Sequence, residues 1–216
     1  MNWISLISIP IAYLLGAISS AYVVARFNGK IDIRDEPDGR ISAAAVYKRV
    51  GPLSFLMVVF MDIGKAILAV WIAWLMGAAL PVILLAGIVT IAGHQWSPFI
   101  KFQGGLGATV IAGVLITIAT VPTIIAAAIA GMAALIVKSS SYGFGIGMIA
   151  LVIIFFGMQF AHVAVQPFNI ITPSPFPANW MLIVYPLILL GMMIGKALQI
   201  KYRPGAPIIV KLEQDK

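Results

Sequence analysis

The residues best suited to chemistry lie together between positions 93 and 107, in the sequence GHQWSPFIKFQGGLG. This stretch holds His94, one of two histidines in the chain, followed by Lys101 and a glycine-rich turn. An imidazole can position a phosphate or assist proton transfer near neutral pH, and glycines before a helix let backbone N–H groups surround an anion. Because apolar runs flank the stretch, it favours a site for a phosphorylated, lipid-linked substrate. A lone histidine at such a boundary is also typical of an interfacial anchor or a structural hydrogen bond.

Two other polar connections carry residues of the same chemical types. The connection after Gly29 contains Arg34, the turn sequence DEPDG and a predicted short interfacial helix at 42–49. A later connection begins at Lys138 and reads KSSS. If these connections meet the glycine-rich turn on one face, they supply a phosphate with cations, N–H groups and hydroxyls. The predicted ligands are Arg34, Lys48, Lys101, Gly104, Gly105, Gly107, Ser139, Ser140 and Ser141.

Two charged residues, Asp62 and Lys65, lie inside an apolar run and are three positions apart. That spacing puts them on one face of a helix. Ionisable residues within a membrane span usually face the interior of the bundle or a watered cavity. Two interpretations remain open: a mutually neutralised pair that holds the bundle together, or a lysine that extends towards the cytoplasmic face and adds positive potential to the site.

Composition places these residues in a membrane protein. Of 216 residues, 62% are hydrophobic and 10% are charged, and the mean hydropathy is +1.06. Soluble domains typically carry about 25% charged residues. Spanning the hydrocarbon takes roughly 20 apolar residues in a helix. We therefore predict an all-α integral membrane protein that forms a single transmembrane helical domain over residues 1–216.

Seven apolar runs meet the length requirement, although the third to fifth are short. They lie near 3–25, 52–76, 80–92, 108–119, 122–137, 143–163 and 180–198. The break at Val121 and Pro122 also fits a kink in one long helix, which makes six spans the alternative. The first run has no basic segment before it and no cleavage site after it, so we predict a retained helix.

The distribution of positive charge favours seven spans. Every lysine and arginine except Lys65 lies in the first, third or fifth connection or at the C-terminal end. An odd number of spans puts all of these residues on one face, which the positive-inside rule makes cytoplasmic. The predicted topology is seven transmembrane helices with the N-terminus outside and the C-terminus in the cytoplasm. A six-helix chain would place Lys138 and the basic tail outside.

The same composition excludes several other functions. Without cysteine there are no disulfides or thiolate metal sites, and two separated histidines with few acids argue against a metal centre. The net charge of +7 follows from the topology and from attraction to anionic membrane lipids. Nucleic-acid binding would need a basic soluble module, and none is present. We predict no metal and no cofactor, and no particular oligomeric state.

Taken in order, these motifs resemble the bacterial acyl-phosphate-dependent glycerol-3-phosphate acyltransferases over nearly the whole chain. The matching stretches are GAISSAYVVAR, DIR at 32–34, VYKRVG at 46–51, Asp62 with Lys65, and GHQWSPFIKFQGGLG. The last is the most specific, because the family carries Gly-His, Pro-Phe and a lysine and glycine run at this spacing. The resemblance implies a seven-helix fold in the bacterial inner membrane, with the N-terminus outside and the active face in the cytoplasm.

The resemblance also implies an activity and assigns roles. The family moves an acyl group from acyl phosphate to glycerol 3-phosphate, which gives lysophosphatidic acid for phospholipid biosynthesis. Such a site needs little acid–base chemistry, because the donor is already activated and holding two anions in register supplies most of the rate. The implied catalytic residues are His94, Lys101 and Lys48, supported by Asp62 and Lys65; further phosphate-binding positions are Gly39, Arg40, Ser42, Lys196 and Gln199.

Several positions depart from the family pattern. Polar residues of the family's first loop are replaced across 37–45, Lys48 stands for an arginine, and Gln103 and Leu106 stand for lysines. Towards the C-terminus, Lys196 and Gln199 stand for a histidine and an asparagine. The chain is therefore predicted to be a divergent member. The alternatives are an impaired paralogue that binds lipids or a partner protein, an acyltransferase with a changed acceptor, and a transporter, which lacks a visible pair of broken helices.

Overall fold

The computed structural model describes residues 3–35, 41–161 and 180–201, and every regular element within these ranges is helical. The α-helices are α1 Ser8–Ala17, α2 Ser20–Asn28, α3 Ala43–Arg49, α4 Pro52–Leu75, α5 Leu80–Gln95, α6 Ala108–Ile118, α7 Thr120–Val137, α8 Ser140–Phe160 and α9 Trp180–Lys201. Three short 3-10 helices cover Trp3–Ile7, Ile33–Asp35 and Pro98–Ile100. This confirms the prediction of an all-helical chain for the described ranges.

Six segments are long and apolar enough to cross a membrane. They are Trp3–Asn28, Pro52–Leu75, Leu80–Ile100, Thr120–Val137, Tyr142–Phe160 and Trp180–Lys201. The remaining apolar helix, α6, has 11 residues and rises only about 16 Å, roughly half of the hydrocarbon thickness. The choice between six and seven spans therefore depends on α6.

The first apolar run is interrupted, contrary to the prediction of one helix over 3–25. Ile18 takes an extended conformation with ψ of 110°, so α1 ends at Ala17 and α2 begins at Ser20. Ser19 is the N-cap of α2, and its side chain accepts a hydrogen bond from the N–H of Tyr22. Serine favours such caps because its hydroxyl competes for backbone groups. The two serines in GAISSA therefore break the helix that the apolar pattern alone would continue.

The second break in the apolar pattern lies slightly before its predicted place. The chain leaves helical geometry at Ala119, with φ of −148° and ψ of 76°, and α7 starts at Thr120. Pro122 is therefore in the first turn of α7, where its missing N–H costs no intrahelical hydrogen bond. Two helices meet at this point, and the proline neither kinks nor interrupts α7.

The helices pack through an almost entirely apolar core. The first half of the chain packs α1 on α5 and α4, and α4 on α6, while α8 lies between α7 and α9. One continuous cluster of buried side chains runs from Ala12 in α1 to Leu189 in α9. Large apolar side chains also cover the outer surface, including Phe60, Leu135 and Ile136, which are 74–78% exposed. A surface this apolar suits lipid rather than water.

A second, smaller cluster packs the first connection against the stretch that contains Lys101. It joins Ile33, Ile41 and Val46 to Ile100. The predicted interfacial helix is found as α3, with Ser42 as its N-cap, and α3 packs on α4. This cluster brings two polar connections to the same end of the bundle.

Candidate active site

A buried ionic cluster links four helices at the centre of the candidate site. Lys65 Nζ lies 2.9 Å from Asp62 Oδ1 and 3.0 Å from His94 Nδ1, and it donates to the carbonyl oxygen of Ile18 at 2.7 Å. The side chains of Asp62, Lys65 and His94 are 4–8% exposed. The prediction of a neutralised pair on one face of α4 is confirmed. The position of Lys65 beside His94 also fits the alternative, in which its charge adds positive potential to the site.

Two hydroxyl groups complete the coordination of the Asp62 carboxylate. Ser20 donates to Oδ1 at 2.8 Å and Thr109 donates to Oδ2 at 2.7 Å. Ser20 is in the first turn of α2, and Thr109 is in the first turn of α6. The carboxylate thus joins the starts of two helices to α4. Burying a charge costs several kcal/mol unless it is paired and hydrogen-bonded, as Asp62 is here.

The break between α1 and α2 supplies further acceptors to this cluster. Because the helix stops at Ala17, the carbonyl oxygens of Ala17 and Ile18 are free of intrahelical partners. Ile18 binds Lys65, and Ala17 accepts a hydrogen bond from the hydroxyl of Ser97 at 2.5 Å. The interruption of the first span is therefore a structural part of the site.

The glycine-rich turn lies directly against His94. A Cβ built on Gly105 would lie 2.7 Å from His94 Nε2 and 2.6 Å from the carbonyl oxygen of Ile41, and one built on Gly104 would collide with the carbonyl of His94. Gly107 precedes α6 with φ of 88°, a left-handed conformation that glycine adopts without strain. The turn and the histidine could not approach this closely if residues 104 and 105 carried side chains.

The N–H groups of this turn have no acceptor within the described part of the chain. No residue there accepts a hydrogen bond from the N–H of Gly104, Gly105, Leu106 or Gly107. All three glycines are buried, and the turn leads into the positive end of α6. Backbone N–H groups of a glycine-rich turn before a helix favour an anionic ligand.

Gln95 fixes the conformation of the turn. It is fully buried at the end of α5, and its amide nitrogen donates to the carbonyl oxygen of Leu106 at 2.9 Å. Its Oε1 has no hydrogen-bond partner among the described residues. A glutamine beside the histidine was not singled out by the sequence, because nothing in its spacing marks a contact eleven residues away.

Arg34 is held by a neighbouring carboxylate. Its guanidinium donates to both carboxylate oxygens of Asp32, with an Nη2–Oδ2 distance of 2.5 Å, and lies over the ring of Tyr22. These hydrogen bonds, with the N–H of Arg34 as a third, lower the pKa of the Asp32 carboxyl to about 2. The predicted phosphate cation is therefore paired with Asp32.

The end of α9 meets the end of α5 near the same cluster. Lys196 is 3% exposed, lies 5.3 Å from the centre of the Trp96 ring, and donates to Gln199 Oε1 at 3.3 Å. The indole N–H of Trp96 donates to the same oxygen at 3.0 Å. The hydroxyl of Tyr13 donates to the carbonyl of Trp96 at 2.8 Å, which ties α1 to this corner. Lys196 and Gln199 thus lie beside the stretch of 93–107.

Other predicted residues are placed differently. Lys48 on α3 and Lys101 after the 3-10 helix Pro98–Ile100 are exposed, and Ser42 uses its hydroxyl to cap α3. Ser139 directly precedes α8, at the N-cap position of that helix. Gly39 and Arg40 lie outside the described residues, as does His162, and the side chains of Ser140 and Ser141 are not described.

A family model describes this arrangement over nearly the whole chain. The model for glycerol-3-phosphate acyltransferase matches residues 6–201, which include every element from α1 to α9. The chain belongs to the glycerol-3-phosphate acyltransferase family. The resemblance that the motifs predicted is thereby confirmed.

Named relatives within this family are similar over different lengths. Glycerol-3-phosphate acyltransferase 4 of Dehalococcoides mccartyi is 38% identical over 58% of this chain, and the aligned part covers 54% of that protein. The chain thus spans about half the length of that relative. Glycerol-3-phosphate acyltransferase 3 of the same species is 33% identical over 85% of this chain and 84% of its own length.

A solved structure in the family has the same fold. The crystal structure of PlsY (YgiH), an integral membrane glycerol 3-phosphate acyltransferase in its glycerol 3-phosphate form, superposes with a TM-score of 0.71. The two chains are 20% identical, and the match covers 90% of this chain and 88% of the other. With six apolar helices of spanning length, this chain is a multi-pass integral membrane protein.

The small polar residues of the site were the part that sequence reasoning missed. Ser20, Thr109 and Ser97 each bind a buried group through a hydroxyl. Their only signal is that a serine or threonine inside an apolar helix must find a partner there. That signal marks a hydrogen bond but does not name its acceptor, which comes from another helix.

Proposed function

We propose that this chain transfers a fatty acyl group from acyl phosphate to the 1-hydroxyl of glycerol 3-phosphate. The products are lysophosphatidic acid and inorganic phosphate, and the reaction supplies phospholipid biosynthesis. Membership of the glycerol-3-phosphate acyltransferase family supports the proposal. The relative of known structure has been solved in a glycerol 3-phosphate form and in a lysophosphatidic acid form.

The observation that carries the proposal is the glycine turn beside His94. Four successive N–H groups, from Gly104 to Gly107, are without an acceptor in the described chain, and these residues lead directly into the start of α6. Backbone N–H groups in this arrangement bind phosphate well, because the helix dipole and the N–H groups act on the same anion. We assign the phosphate of a substrate to this turn.

The surrounding residues supply charge and orientation to the reacting groups. Lys101 and Lys48 are exposed cations at the same end of the bundle, joined through the cluster of Ile100 with Val46. Lys196 adds a third positive charge near the histidine. Attack of the glycerol hydroxyl forms the ester bond to the acyl carbon and breaks the bond from that carbon to the phosphate oxygen, and the released phosphate takes up the hydroxyl proton. Negative charge develops on the oxygens of the acyl carbonyl and of the leaving phosphate. Preorganised donors of this kind lower the barrier without large proton transfers.

We further propose that the site opens on the cytoplasmic face of the bacterial inner membrane. The chain then forms one domain that crosses seven times, with α6 as a short fourth span, the N-terminus outside and the C-terminus inside. The supporting observation is that Arg34, Lys48, Lys101 and Lys196 gather at one end of the bundle. The positive-inside rule makes that end cytoplasmic.

The test is release of phosphate from acyl phosphate by the purified protein in lipid nanodiscs, with and without glycerol 3-phosphate. Release that requires glycerol 3-phosphate and yields lysophosphatidic acid supports the activity. In Lys101→Ala, loss of one charged contact should cost about 1.5–3 kcal/mol, or roughly 10- to 150-fold in kcat/KM.

Lys30→Ala is the matched control for this substitution. Lys30 is also exposed and has φ of 53°, against 54° for Lys101, so both variants alter a lysine in a left-handed conformation. We expect the control to retain wild-type turnover. Absence of turnover in the wild type, with acyl phosphate still bound, would instead identify a lipid-binding paralogue. Turnover with another phosphorylated acceptor only would identify a changed acceptor.

A further inference from the structure

The Lys65 ammonium group has three hydrogen atoms and three neighbouring atoms that can accept them. Its three neighbours within hydrogen-bond distance are Asp62 Oδ1, the Ile18 carbonyl oxygen and His94 Nδ1. An ammonium group can only donate. A carboxylate and a carbonyl oxygen can only accept, and each takes one hydrogen. The third hydrogen is therefore directed at His94 Nδ1, which must accept it.

This contact determines the protonation of His94. A ring nitrogen that accepts a hydrogen bond carries no proton, so the neutral imidazole has its proton on Nε2. An imidazolium would turn an N–H towards the ammonium group of Lys65, and neither group could accept. The nearby Asp62 carboxylate does not relieve this, because its Oδ1 lies 3.7 Å from His94 Nδ1, beyond hydrogen-bond distance.

The protonated nitrogen is turned towards the glycine turn. Nε2 lies 2.7 Å from the point where a Cβ of Gly105 would be, and no described residue accepts a hydrogen bond from it. It therefore adds a side-chain donor to the four backbone N–H groups of residues 104–107. A phosphate group offers several acceptor oxygens, so one phosphate can take hydrogen bonds from a side-chain donor and from backbone N–H groups together.

We infer that Lys65 is a positioning residue that holds His94 as the Nε2–H tautomer, and that this N–H donates to a phosphate oxygen of the substrate. His94 then acts as a hydrogen-bond donor rather than as a general base. The Lys65 ammonium group is itself held in this direction by Asp62, whose carboxylate is fixed by Ser20 and Thr109. This inference rests on the proposed function for the identity of the phosphate, but not for the tautomer.

The tautomer is read directly by NMR of the full chain labelled with 15N-histidine in nanodiscs. The pattern of correlations between ring nitrogens and carbon-bound protons distinguishes the two neutral tautomers and the imidazolium. The chain has two histidines, and His162→Gln assigns the signals. We expect Nε2–H for His94 throughout the neutral pH range. A His94 found as Nδ1–H or as imidazolium would overturn the inference.

Two variants of Lys65 separate a positioning role from a purely structural one. Lys65→Met removes the donor at Nδ1, and we expect mixed tautomers or a titrating His94. The groups facing the ring are then Asp62, 3.7 Å from Nδ1, and the more distant Lys196. Lys65→Arg can still only donate and should keep the Nε2–H signal. If Lys65→Met folds and leaves the tautomer unchanged, Lys65 does not set it.

The ligand is tested with inorganic phosphate, glycerol 3-phosphate, a non-hydrolysable acyl phosphonate, and glycerol as the phosphate-free control. A shift of the Nε2–H proton with glycerol 3-phosphate alone assigns the acceptor phosphate, and a shift with the phosphonate alone assigns the donor phosphate. If glycerol 3-phosphate and the phosphonate both shift the proton, the Nε2–H group is assigned to a phosphate oxygen that either substrate can provide. No shift with any ligand at saturating concentration refutes donation to phosphate.

Substitution of His94 gives a matched kinetic test. The amide nitrogen of Gln reaches the place of Nε2, whereas that of Asn reaches only the place of Nδ1. Loss of one preorganised donor typically costs about 100-fold or more in kcat. We expect His94→Asn to show this loss and His94→Gln to recover at least about tenfold of it. Equal activities of the two variants would contradict the donor role.

These readouts fail separately from the proposed function. A wild-type protein that shows the Nε2–H tautomer and a phosphate-dependent shift, but no acyl transfer, would refute the activity and retain the inference. An active protein with a different His94 tautomer would support the acyl-transfer activity and refute the inference about Lys65 and His94.

Discussion

At the scale of residues, the site depends on a single buried ion pair. Asp62 and Lys65 are 3% and 8% exposed, and Ser20, Thr109 and the Ile18 carbonyl form hydrogen bonds with them. In a bundle that is otherwise apolar, such a pair stabilises one arrangement of α2, α4, α5 and α6 over others. Moving any of these helices would leave a charge without a partner.

Removing one member of this pair should therefore be costly. Asp62→Ala leaves the Lys65 ammonium buried without its counter-charge, and breaking a buried pair typically costs about 3–5 kcal/mol. We expect a marked loss of thermal stability in detergent, measured as the apparent Tm. The double variant Asp62→Leu with Lys65→Met replaces both charges by apolar groups of similar volume, and it should recover most of that loss. A double variant as unstable as Asp62→Ala would show that apolar packing, rather than the unpaired charge, is responsible.

The second residue-scale prediction concerns the pairing of Arg34 with Asp32. If Arg34 binds substrate phosphate, Asp32 competes for its guanidinium, so Asp32→Asn should lower the KM for the phosphorylated substrate. Arg34→Ala should raise that KM. Steady-state kinetics with each variant measures both effects, and an unchanged KM in both would remove Arg34 from the phosphate site.

The low pKa of Asp32 fixes the pH range of this competition. A carboxyl with a folded pKa of about 2 contributes stability above its ordinary pKa near 4, and that contribution is lost as the pH falls towards 2. The pair therefore stays intact around neutral pH. Above about pH 5, the pH profile of KM should therefore have the same shape in the wild type and in Asp32→Asn.

At the scale of elements, the site depends on the close approach of α1 and α5. Gly16 and Gly93 face each other across this contact, and a Cβ on either would collide with the backbone of the opposite helix. This contact keeps the end of α1 beside the end of α5. The break after Ala17 and the histidine at position 94 are consequently adjacent in space.

Adding a methyl group at this contact should separate the two helices. Gly16→Ala and Gly93→Ala are each expected to lose about 1–3 kcal/mol from overpacking, because the colliding atoms are backbone and cannot rotate away. Gly64→Ala in α4 is the control, since nothing lies within 4 Å of its Cβ. Apparent Tm measures the difference. A Gly16→Ala protein as stable as the control would mean that α1 and α5 adjust without cost.

At the scale of the whole molecule, three distant parts of the chain meet at one end. Ile41 of the first connection lies against Gly105 of the glycine turn. Lys196 at the end of α9 lies over the ring of Trp96. Each part contributes either cations or N–H groups. The opposite end of α7 and α8 instead lines an apolar cavity of about 340 Å³. Among the described residues, the cations and N–H groups of the candidate site lie at one end of an apolar body.

The proposed topology is testable because the chain contains no cysteine. Single cysteines at Lys30, Ala79 and Lys138 can be labelled in cells with a membrane-impermeant maleimide. Seven spans predict that only Ala79→Cys reacts from outside. Reaction of both Ala79→Cys and Lys138→Cys would show that α6 and α7 together form one crossing. Labelling after membrane disruption is the control for accessibility.

Much of the fold and part of the site followed from the sequence alone. Except for the first run, which breaks at Ile18, the apolar runs predicted the helices to within a few residues, because in a bilayer only a helix satisfies a long apolar backbone. The spacing of Asp62 and Lys65 predicted a shared face, and the motif at 93–107 predicted the family, which the match over residues 6–201 confirms. These features are local, or depend on the order of motifs along one chain.

Only the tertiary structure decided which distant groups meet. The sequence did not indicate that the first span breaks at Ile18, that its carbonyl binds Lys65, or that Ser20 and Thr109 bind Asp62. These contacts join residues 42 to 47 positions apart on separate helices. The rotation and depth of each helix set them, and those are fixed by packing against neighbours rather than by the residues of one segment.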